Sequence, residues 1–203
     1  MRPVLYSYRR CPYAMRARMA LKYAGIAVDV HEIKLSAKPS ELLAVSPKGT
    51  VPVLVLQDQT TSKQQVLEQS LDIMHWALQQ QDVDGWLTAD KQLAQQLIAE
   101  NDTSFKQALD KYKYAIRFPE QSLSTYRAEA EVFLHKLERQ LSQSTFLLSD
   151  QLSLADIAIF PFVRQFSGVD IYWFEDAAYP KVRAWLNTLV TSALFVSVMQ
   201  KLP

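Results

Sequence analysis

The residues best suited to carry out chemistry lie in one short segment near the N-terminus, Arg9-Arg10-Cys11-Pro12-Tyr13-Ala14, which contains the only cysteine of the 203-residue chain. The segment follows a short apolar run and precedes a helical pattern in which proline suits the first position. A strand-to-helix turn of this kind places Cys11 at a helix N-terminus. Backbone N–H groups without intrahelical partners and the helix dipole stabilise a thiolate there.

Positive charge surrounds this cysteine in the sequence. Arg9 and Arg10 directly precede it, and Arg16 and Arg18 follow within the predicted helix. Because positive charge near a sulfur favours its ionised form, the segment favours a nucleophilic thiolate. The alternative is that Cys11 is a small buried hydrophobic residue, as unpaired cysteines often are. A single cysteine cannot close an internal disulfide, so turnover through it requires an external thiol such as glutathione.

Composition and charge exclude several classes of function. Lys and Arg total 22 against 21 for Asp and Glu, and the net charge of +1 gives no strong electrostatic case for nucleic acid or an anionic membrane. The chain reaches the charged Arg9 too early for a signal peptide, and no apolar stretch is long enough to span a bilayer. We therefore expect a cytoplasmic protein. The three histidines are scattered without metal-ligand spacing, so we expect no metal site.

The first 80 residues predict alternating strands and helices. The predicted elements are strand 3–8, helix 12–24, strand 28–33, a short helix opening at residue 38, strands 51–56 and 66–67, and helix 70–80. The first three form a βαβ unit with parallel strands, and the last two strands form an antiparallel hairpin around the polar loop 57–65. Pro52 suits either the first residue of a strand or a cis peptide bond.

A loop at 81–88 separates these elements from a region in which every predicted element is a helix. The predicted helices are 89–117, 124–141, 153–166 and 180–190, with a last turn at 195–199. Ser153-Leu154-Ala155-Asp156 is a capping box with Asp where Glu is commoner, and the helix after it has almost no polar face. The sequence thus predicts domains 1–80 and 89–203 joined by a linker at 81–88.

These features together resemble the cytosolic glutathione transferase superfamily over nearly the whole chain. The stretch from Cys11 to Lys22 is most similar to the omega class and to two-domain bacterial glutaredoxins, with Ala14 in place of the second cysteine of a glutaredoxin motif. Ser153 to Asp156 and Tyr179-Pro180 resemble helix starts of the C-terminal domain. The resemblance implies an α/β thioredoxin-like N-terminal domain, ordered βαβαββα around a mixed four-stranded sheet, and an all-α C-terminal domain.

The resemblance also implies a glutathione site. Cys11 occupies the position that forms the mixed disulfide with glutathione. Val51, ahead of a cis-Pro52, pairs through its backbone with the cysteinyl part of glutathione. Lys38 matches a lysine that the omega class directs at a glutathione carboxylate. Without the resemblance, the sequence indicates only that Lys38 is a solvated surface residue and that Pro52 marks the edge of a strand.

The γ-glutamyl end of glutathione is implied to lie at Gln69-Ser70. The Ser70 hydroxyl and a backbone N–H at the helix N-terminus form a natural carboxylate cradle. Ser70 can also act as a helix cap, and both roles can coexist. Gln69 stands where the omega class has Glu, which removes a charge partner for the γ-glutamyl amine but leaves an amide able to form hydrogen bonds.

The resemblance places a second substrate, a small hydrophobic molecule or a disulfide, in the cleft between the domains. An aromatic stripe at helical spacing also suits a protein core, so both roles stay open for the candidate residues. These candidates are Tyr13, Phe105, Lys106, Leu109, Tyr112 and Trp173.

The function implied is a glutathione-dependent thiol transferase that acts through Cys11, with glutathione as the co-substrate. Conjugation of glutathione to small electrophiles is an alternative, with Tyr6, Ser7, Tyr8 or Tyr13 as the hydroxyl donor. A third alternative is a non-catalytic protein-interaction module of the same fold. Monomer and homodimer are both compatible with the resemblance.

Overall fold

The computed structural model describes residues 2–57 and 64–201. Within them the chain forms two compact units, the first from residues 2–57 and 64–83 with residues 193–201 and the second from residues 84–192. The predicted polar loop at 57–65 lies largely outside the described residues. Each unit has its own set of buried apolar side chains.

A four-stranded mixed sheet organises the first unit. Its strands are β1 (Val4–Ser7), β2 (Asp29–Glu32), β3 (Val53–Gln57) and β4 (Gln64–Leu67). The order across the sheet is β2-β1-β3-β4, with β1 parallel to β2 and the other neighbouring pairs antiparallel. The predicted βαβ unit and hairpin are both confirmed. The central strand β1 is buried from Leu5 to Ser7 because helices and strands flank it.

Three helices follow the strands of this unit, namely α1 (Pro12–Tyr23), α2 (Ser40–Val45) and α3 (Ser70–Gln80). Ala24 is the C-cap of helix α1, and Gly25 adopts φ +67, the left-handed conformation that terminates many helices. Helix α1 packs against α3, with Met15, Met19 and Leu21 fully buried. The order βαβαββα predicted for this region is confirmed.

The second unit is helical, as expected. Its helices are α4 (Lys91–Glu100), α5 (Lys106–Lys113), α6 (Leu123–Leu141), α7 (Leu154–Ser167), α8 (Ile171–Asp176) and α9 (Pro180–Val190). A π-helical turn at Asn101–Phe105 joins α4 to α5. The single helix predicted for 89–117 is therefore divided into α4, the π-helical turn and α5, and a separate 3-10 helix at Ala115–Arg117 follows.

Helix α7 lies at the centre of this unit. Every residue from Leu154 to Val163 is buried, including Pro161, and the helix continues through that proline. The predicted capping box is present, because the Ser153 N–H donates to Asp156 Oδ2 at 3.0 Å. The absence of a polar face in the sequence of α7 thus indicated its central position correctly.

The C-terminal helix α10 (Ala193–Met199) packs against α1 in the first unit. The predicted domain 89–203 included this helix, so the compact units differ from the prediction at their C-terminal end. Phe195 is the buried residue of α10. In the described residues, no single helix is long and apolar enough to cross a membrane, and only the consecutive helices α9 and α10, counted together, meet that test.

Candidate functional site

Cys11 lies at the N-cap of α1, with φ −75 and ψ 122, and Pro12 is the first helical residue. Its backbone N–H donates to the Tyr8 carbonyl at 2.9 Å, which closes the turn between β1 and α1. The sulfur does not cap the helix. Instead, Cys11 Sγ lies 3.7 Å from the Val51 carbonyl oxygen and is half-buried. The predicted location of the thiol at a helix N-terminus is confirmed, and the side chain is not sealed inside the core.

The segment opposite Cys11 leads into β3. The Val51–Pro52 peptide bond is cis, Pro52 is buried, and Val53 begins the strand. The cis alternative for Pro52 is therefore confirmed. The structure brings Cys11 and Val51 together although 40 residues separate them in the chain. Pairing of Val51 with a glutathione backbone stays a prediction.

Ser70 has a different local role from the predicted N-cap. Gln69 occupies the N-cap of α3, with φ −108 and ψ 134, and Ser70 is the first helical residue. The Ser70 side chain is 4% exposed, and its hydroxyl accepts a hydrogen bond from Arg16 Nε at 3.0 Å. Because a hydroxyl that accepts one bond keeps its own proton for donation, Ser70 remains able to donate to a carboxylate.

Lys38 is exposed and lies over the turn that precedes Val51. Its Cδ and Nζ atoms are 3.1 and 3.3 Å from the position that a Cβ would take at Gly49. Close by, Glu68 accepts from the Ser46 hydroxyl at 2.6 Å and pairs with Lys48 at 3.6 Å. The adjacent Gln69 is exposed. In the first unit, Lys38 therefore lies by the turn that precedes Val51, and Ser70 contacts Arg16 of α1, the helix that begins after Cys11.

Gly49 gives a direct test of this turn. Its φ is +58, and an added Cβ would lie 2.9 Å from Leu43 Cδ2 as well as against Lys38. We expect Gly49→Ala to lower the free energy of unfolding by about 1–2 kcal/mol, through left-handed backbone strain and displacement of these side chains. Denaturant unfolding of the purified variant measures the change.

The matched control is Gly168→Ala. Gly168 has φ −76, and the nearest atoms to its added Cβ are carbonyl oxygens at 3.5 and 3.7 Å. This substitution should leave stability unchanged or raise it by less than about 1 kcal/mol. Equal stability of the two variants would contradict the proposed strain at Gly49.

Sequence reasoning treated the arginines of α1 as general positive charge and missed their separate positions. Arg16 is 1% exposed and Arg18 is 8% exposed. Arg16 contacts Ser70 and lies 5.0 Å from the centre of the Tyr13 ring. Arg18 donates to the Ser7 hydroxyl at 2.8 Å and to the Arg9 carbonyl at 2.9 Å. The sequence signal for their burial was the presence of two charged residues within an alanine-rich segment of the helix.

Three of the predicted second-substrate residues are core residues of the second unit. Phe105, Leu109 and Tyr112 are 2%, 0% and 1% exposed. The ring of Phe105 lies 5.0 Å from that of Phe133, and the ring of Tyr112 lies 5.2 Å from that of Phe166. Side chains enclosed in this way cannot offer a surface to a substrate. The spacing that suggested a pocket marks the buried face of the helix.

The other second-substrate candidates are partly accessible. Lys106 is half-buried and forms an ion pair with Asp110 one turn later. Trp173 is also half-buried, with the Arg127 guanidinium 4.2 Å from the centre of its ring. Tyr13 in the first unit is half-buried beside Arg16. Their contact with a substrate stays a prediction. Within residues 2–57 and 64–201, no three His, Cys, Asp or Glu side chains are grouped closely enough to hold a metal ion.

Comparison with known proteins identifies the family. The family model for the glutathione S-transferase N-terminal domain matches residues 5–85, and that for the C-terminal domain matches residues 120–188. The chain is 26% identical over 189 residues to glutathione S-transferase omega-2 of Mus musculus, covering 91% of this chain and 73% of that protein. It is also 26% identical over 201 residues to elongation factor 1-gamma of Drosophila melanogaster, covering 97% of this chain but only 46% of that protein.

Solved structures agree on the fold. Glutathione transferase Omega 3C from Trametes versicolor aligns with a TM-score of 0.80 and 20% identity, over all of this chain and 91% of that one. A glutathione transferase family member from Pseudomonas fluorescens, solved with two glutathione bound, aligns with a TM-score of 0.81 and 18% identity, over 97% and 92% of the two chains. A unit built on a mixed four-stranded sheet and a helical unit together form a glutathione transferase fold. The chain belongs to the glutathione S-transferase superfamily.

Proposed function

We propose that this protein is a glutathione-dependent thiol transferase that removes glutathione from mixed disulfides through Cys11. The observation that carries the proposal is the position of the sulfur, half-buried at the N-terminus of α1 and 3.7 Å from the Val51 carbonyl. A conjugating transferase needs a hydroxyl or N–H group that stabilises the thiolate of bound glutathione. Cys11 is instead a group that can itself attack a disulfide.

The reaction balances in two exchange steps. The Cys11 thiolate attacks the glutathione sulfur of a mixed disulfide, the S–S bond breaks, and the substrate leaves as a thiolate that takes up a proton. Cys11 is then joined to glutathione by a new disulfide. A second glutathione thiolate attacks the sulfur of the bound glutathione, which releases oxidised glutathione and restores the Cys11 thiolate. One mixed disulfide and one glutathione thus give one substrate thiol and one oxidised glutathione.

Backbone and side-chain groups of the first unit support glutathione as the co-substrate. Val51 presents backbone groups beside Cys11, which suits strand-like pairing with the cysteinyl part of the tripeptide. Ser70 at the start of α3 suits the γ-glutamyl carboxylate, and Gln69 suits its amine through hydrogen bonds. Lys38 suits the remaining carboxylate. We propose the reducing environment of the cytoplasm as the compartment where such a thiol turns over.

Burial of two of the candidate hydroxyl donors argues against conjugation to electrophiles as the main activity. Tyr6 is 7% exposed, and burial raises the pKa of its phenol. Ser7 is 0% exposed, and its hydroxyl accepts from Arg18. Tyr8 and Tyr13 are half-buried and remain the available hydroxyl donors. One relative, elongation factor 1-gamma, is not named as a transferase. The other alternative is a protein-interaction module that does not use Cys11.

Mass spectrometry of the intact protein tests the proposal. After incubation with oxidised glutathione, we expect one glutathione adduct per chain, located at Cys11 by peptide mapping. Addition of reduced glutathione should remove the adduct and release oxidised glutathione. A thiol that forms no adduct under these conditions, while an alkylating reagent still modifies it, would contradict the proposal and favour the interaction module.

A further inference from the structure

Helix α1 buries two arginines, Arg16 and Arg18, one residue apart. Arginine is almost never fully buried unless its charge meets a partner, because removing a guanidinium from water is costly. Successive helical residues separated by one position point to different sides of a helix, so the two guanidinium groups serve different surroundings. Their hydrogen bonds show what each one contacts.

Arg18 holds the turn that carries Cys11. Its guanidinium donates to the Arg9 carbonyl at 2.9 Å, and the Arg9 N–H donates to Glu32 at 2.6 Å. Both backbone groups of Arg9, two residues before Cys11, are therefore tied to charged side chains. Arg18 also donates to the Ser7 hydroxyl at 2.8 Å and to the sulfur of Met199 at 3.6 Å.

The hydrogen-bond acceptors of Arg18 are neutral: a hydroxyl, a carbonyl and a thioether. Burial lowers the pKa of Arg18, while the negative charges of Glu32 and of ionised Cys11 raise it. Because Arg18 is hydrogen-bonded to the Arg9 carbonyl, two residues before Cys11, its positive charge lies beside the turn that carries the sulfur and favours the ionised form of that sulfur. Since Arg18 is 8% exposed, water screens this interaction only weakly.

Arg16 acts at the other end of the site. Its Nε donates to the Ser70 hydroxyl at 3.0 Å, at the first residue of α3. Because the Ser70 oxygen accepts this hydrogen bond, its position is fixed, and the proton of the Ser70 hydroxyl points away from Arg16. The buried positive charge and the N-terminus of α3 both favour an anion at that position.

We infer that the two buried arginines of α1 have separate roles in the site. Arg18 stabilises the Cys11 thiolate and the turn that carries it. Arg16 orients the Ser70 hydroxyl toward the γ-glutamyl carboxylate. This inference rests on the proposed function, because it assigns glutathione to the same site. Arg16 and Arg18 are positioning residues, since each acts through a neighbouring group. Arg18 acts on reactivity, and Arg16 acts on recognition.

Other charges near the Cys11 turn also influence its ionisation. Arg9 and Arg10 precede the cysteine, and Glu32 of β2 contributes the opposing negative charge. On the side of β3, Lys38 lies over Gly49, and Lys48 is paired with Glu68. Helix α10 contributes Met199, whose carbonyl accepts from Arg9 at 3.3 Å. The experiment therefore changes one arginine at a time and leaves these groups in place.

The first measurement is the rate of Cys11 alkylation by iodoacetamide as a function of pH. In the wild-type chain, we expect the midpoint to lie below the ordinary thiol value of about 8.5. Arg18→Gln keeps a hydrogen-bond donor but removes the charge, and should raise the midpoint by about one pH unit. Arg18→Lys should restore most of the wild-type profile, and Arg16→Gln should shift it by less than half as much as Arg18→Gln.

The second measurement is the preference of the enzyme for reduced glutathione over cysteinylglycine, which lacks the γ-glutamyl group. Arg16→Gln should raise the KM for glutathione roughly tenfold and leave the KM for cysteinylglycine unchanged. Arg18→Gln should lower kcat at neutral pH for both thiols without changing the preference. Ser70→Ala, a small change that removes the other side of the same contact, should lose the preference as Arg16→Gln does.

The outcomes test the role of each arginine separately from the proposed function. A wild-type alkylation midpoint at or above the ordinary thiol value, or an equal shift in both glutamine variants, would overturn the role of Arg18. A Ser70→Ala variant that keeps the full preference would overturn the role of Arg16, even if Arg16→Gln does not fold. Alkylation needs no glutathione, so the role of Arg18 can stand or fall while the adduct experiment decides the proposed function.

Discussion

The Cys11→Ser variant is expected to lose disulfide-reductase activity by about a thousandfold or more, measured with a glutathione mixed disulfide in the presence of reduced glutathione. Serine has nearly the same size as cysteine, so the half-buried position at the N-cap of α1 tolerates it. Its hydroxyl is un-ionised at neutral pH and forms no disulfide. Both exchange steps of the proposed reaction are therefore blocked, and the fold is preserved.

Tyr8→Phe is the matched control for this experiment. Tyr8 directly precedes the Cys11 turn and is half-buried, but its contact with that turn is made by the backbone carbonyl, which the substitution leaves in place. Reductase activity should stay within about twofold of wild type. If the reaction were instead conjugation with Tyr8 as the donor, the pattern would reverse, with Tyr8→Phe impaired and Cys11→Ser active toward an aryl halide.

A third pattern would indicate the interaction module. In that case, wild-type protein and both variants would share the same low reductase activity and would fail to bind to a glutathione column. Full reductase activity in Cys11→Ser would remove the thiol from the mechanism altogether. The two variants and two assays thus distinguish the proposed thiol transferase from each of its alternatives.

The order of elements could be predicted because each local signal had a single physical meaning. Pro12 marks the start of α1 and Gly25 follows its end. The apolar runs at β1 and β3 are short and contain β-branched and aromatic residues, which favours buried strands. The capping box at Ser153 likewise fixed the start of α7. These signals act over a few residues, so the sequence contains all the information that they need.

The errors arose where a residue's surroundings come from distant parts of the chain. Ser70 looked like an N-cap, but Gln69 takes that position and Arg16, 54 residues earlier, binds the hydroxyl. The aromatic stripe at Phe105 and Tyr112 was ambiguous, because helical periodicity identifies a buried face without saying whether protein or ligand covers it. Helix α10 was grouped with the helical domain since its contact with α1 leaves no local signature.

The largest effect on stability is expected at Asp156, which lies at the start of α7 and is 0% exposed. Its Oδ1 atom accepts from the Leu147 N–H at 2.9 Å and from Trp185 Nε1 at 2.8 Å. Its Oδ2 atom accepts from the Ser153 N–H at 3.0 Å and hydroxyl at 2.6 Å. One side chain therefore joins the loop before α7, the start of α7 and helix α9.

Asp156→Ala should lower the free energy of unfolding by about 3–5 kcal/mol, measured by denaturant unfolding followed by circular dichroism. Burial raises the pKa of Asp156, while the bonds from Ser153, Leu147 and Trp185 act in the opposite direction. Removal of the carboxyl group leaves four buried donors without an acceptor, and each donor then pays its desolvation cost. The loss should appear as a lower denaturant midpoint with little change in slope.

The matched control is Asp150→Ala in the neighbouring loop. Asp150 also accepts two hydrogen bonds, from the N–H and hydroxyl of Thr145 at 2.9 Å each, but it is exposed, so water can replace the lost acceptor. Its substitution should cost much less than that of Asp156. Comparable losses in the two variants would show that local loop geometry, rather than the buried network, stabilises the start of α7. A stable Asp156→Ala protein would show that α7 is held in place by apolar packing alone.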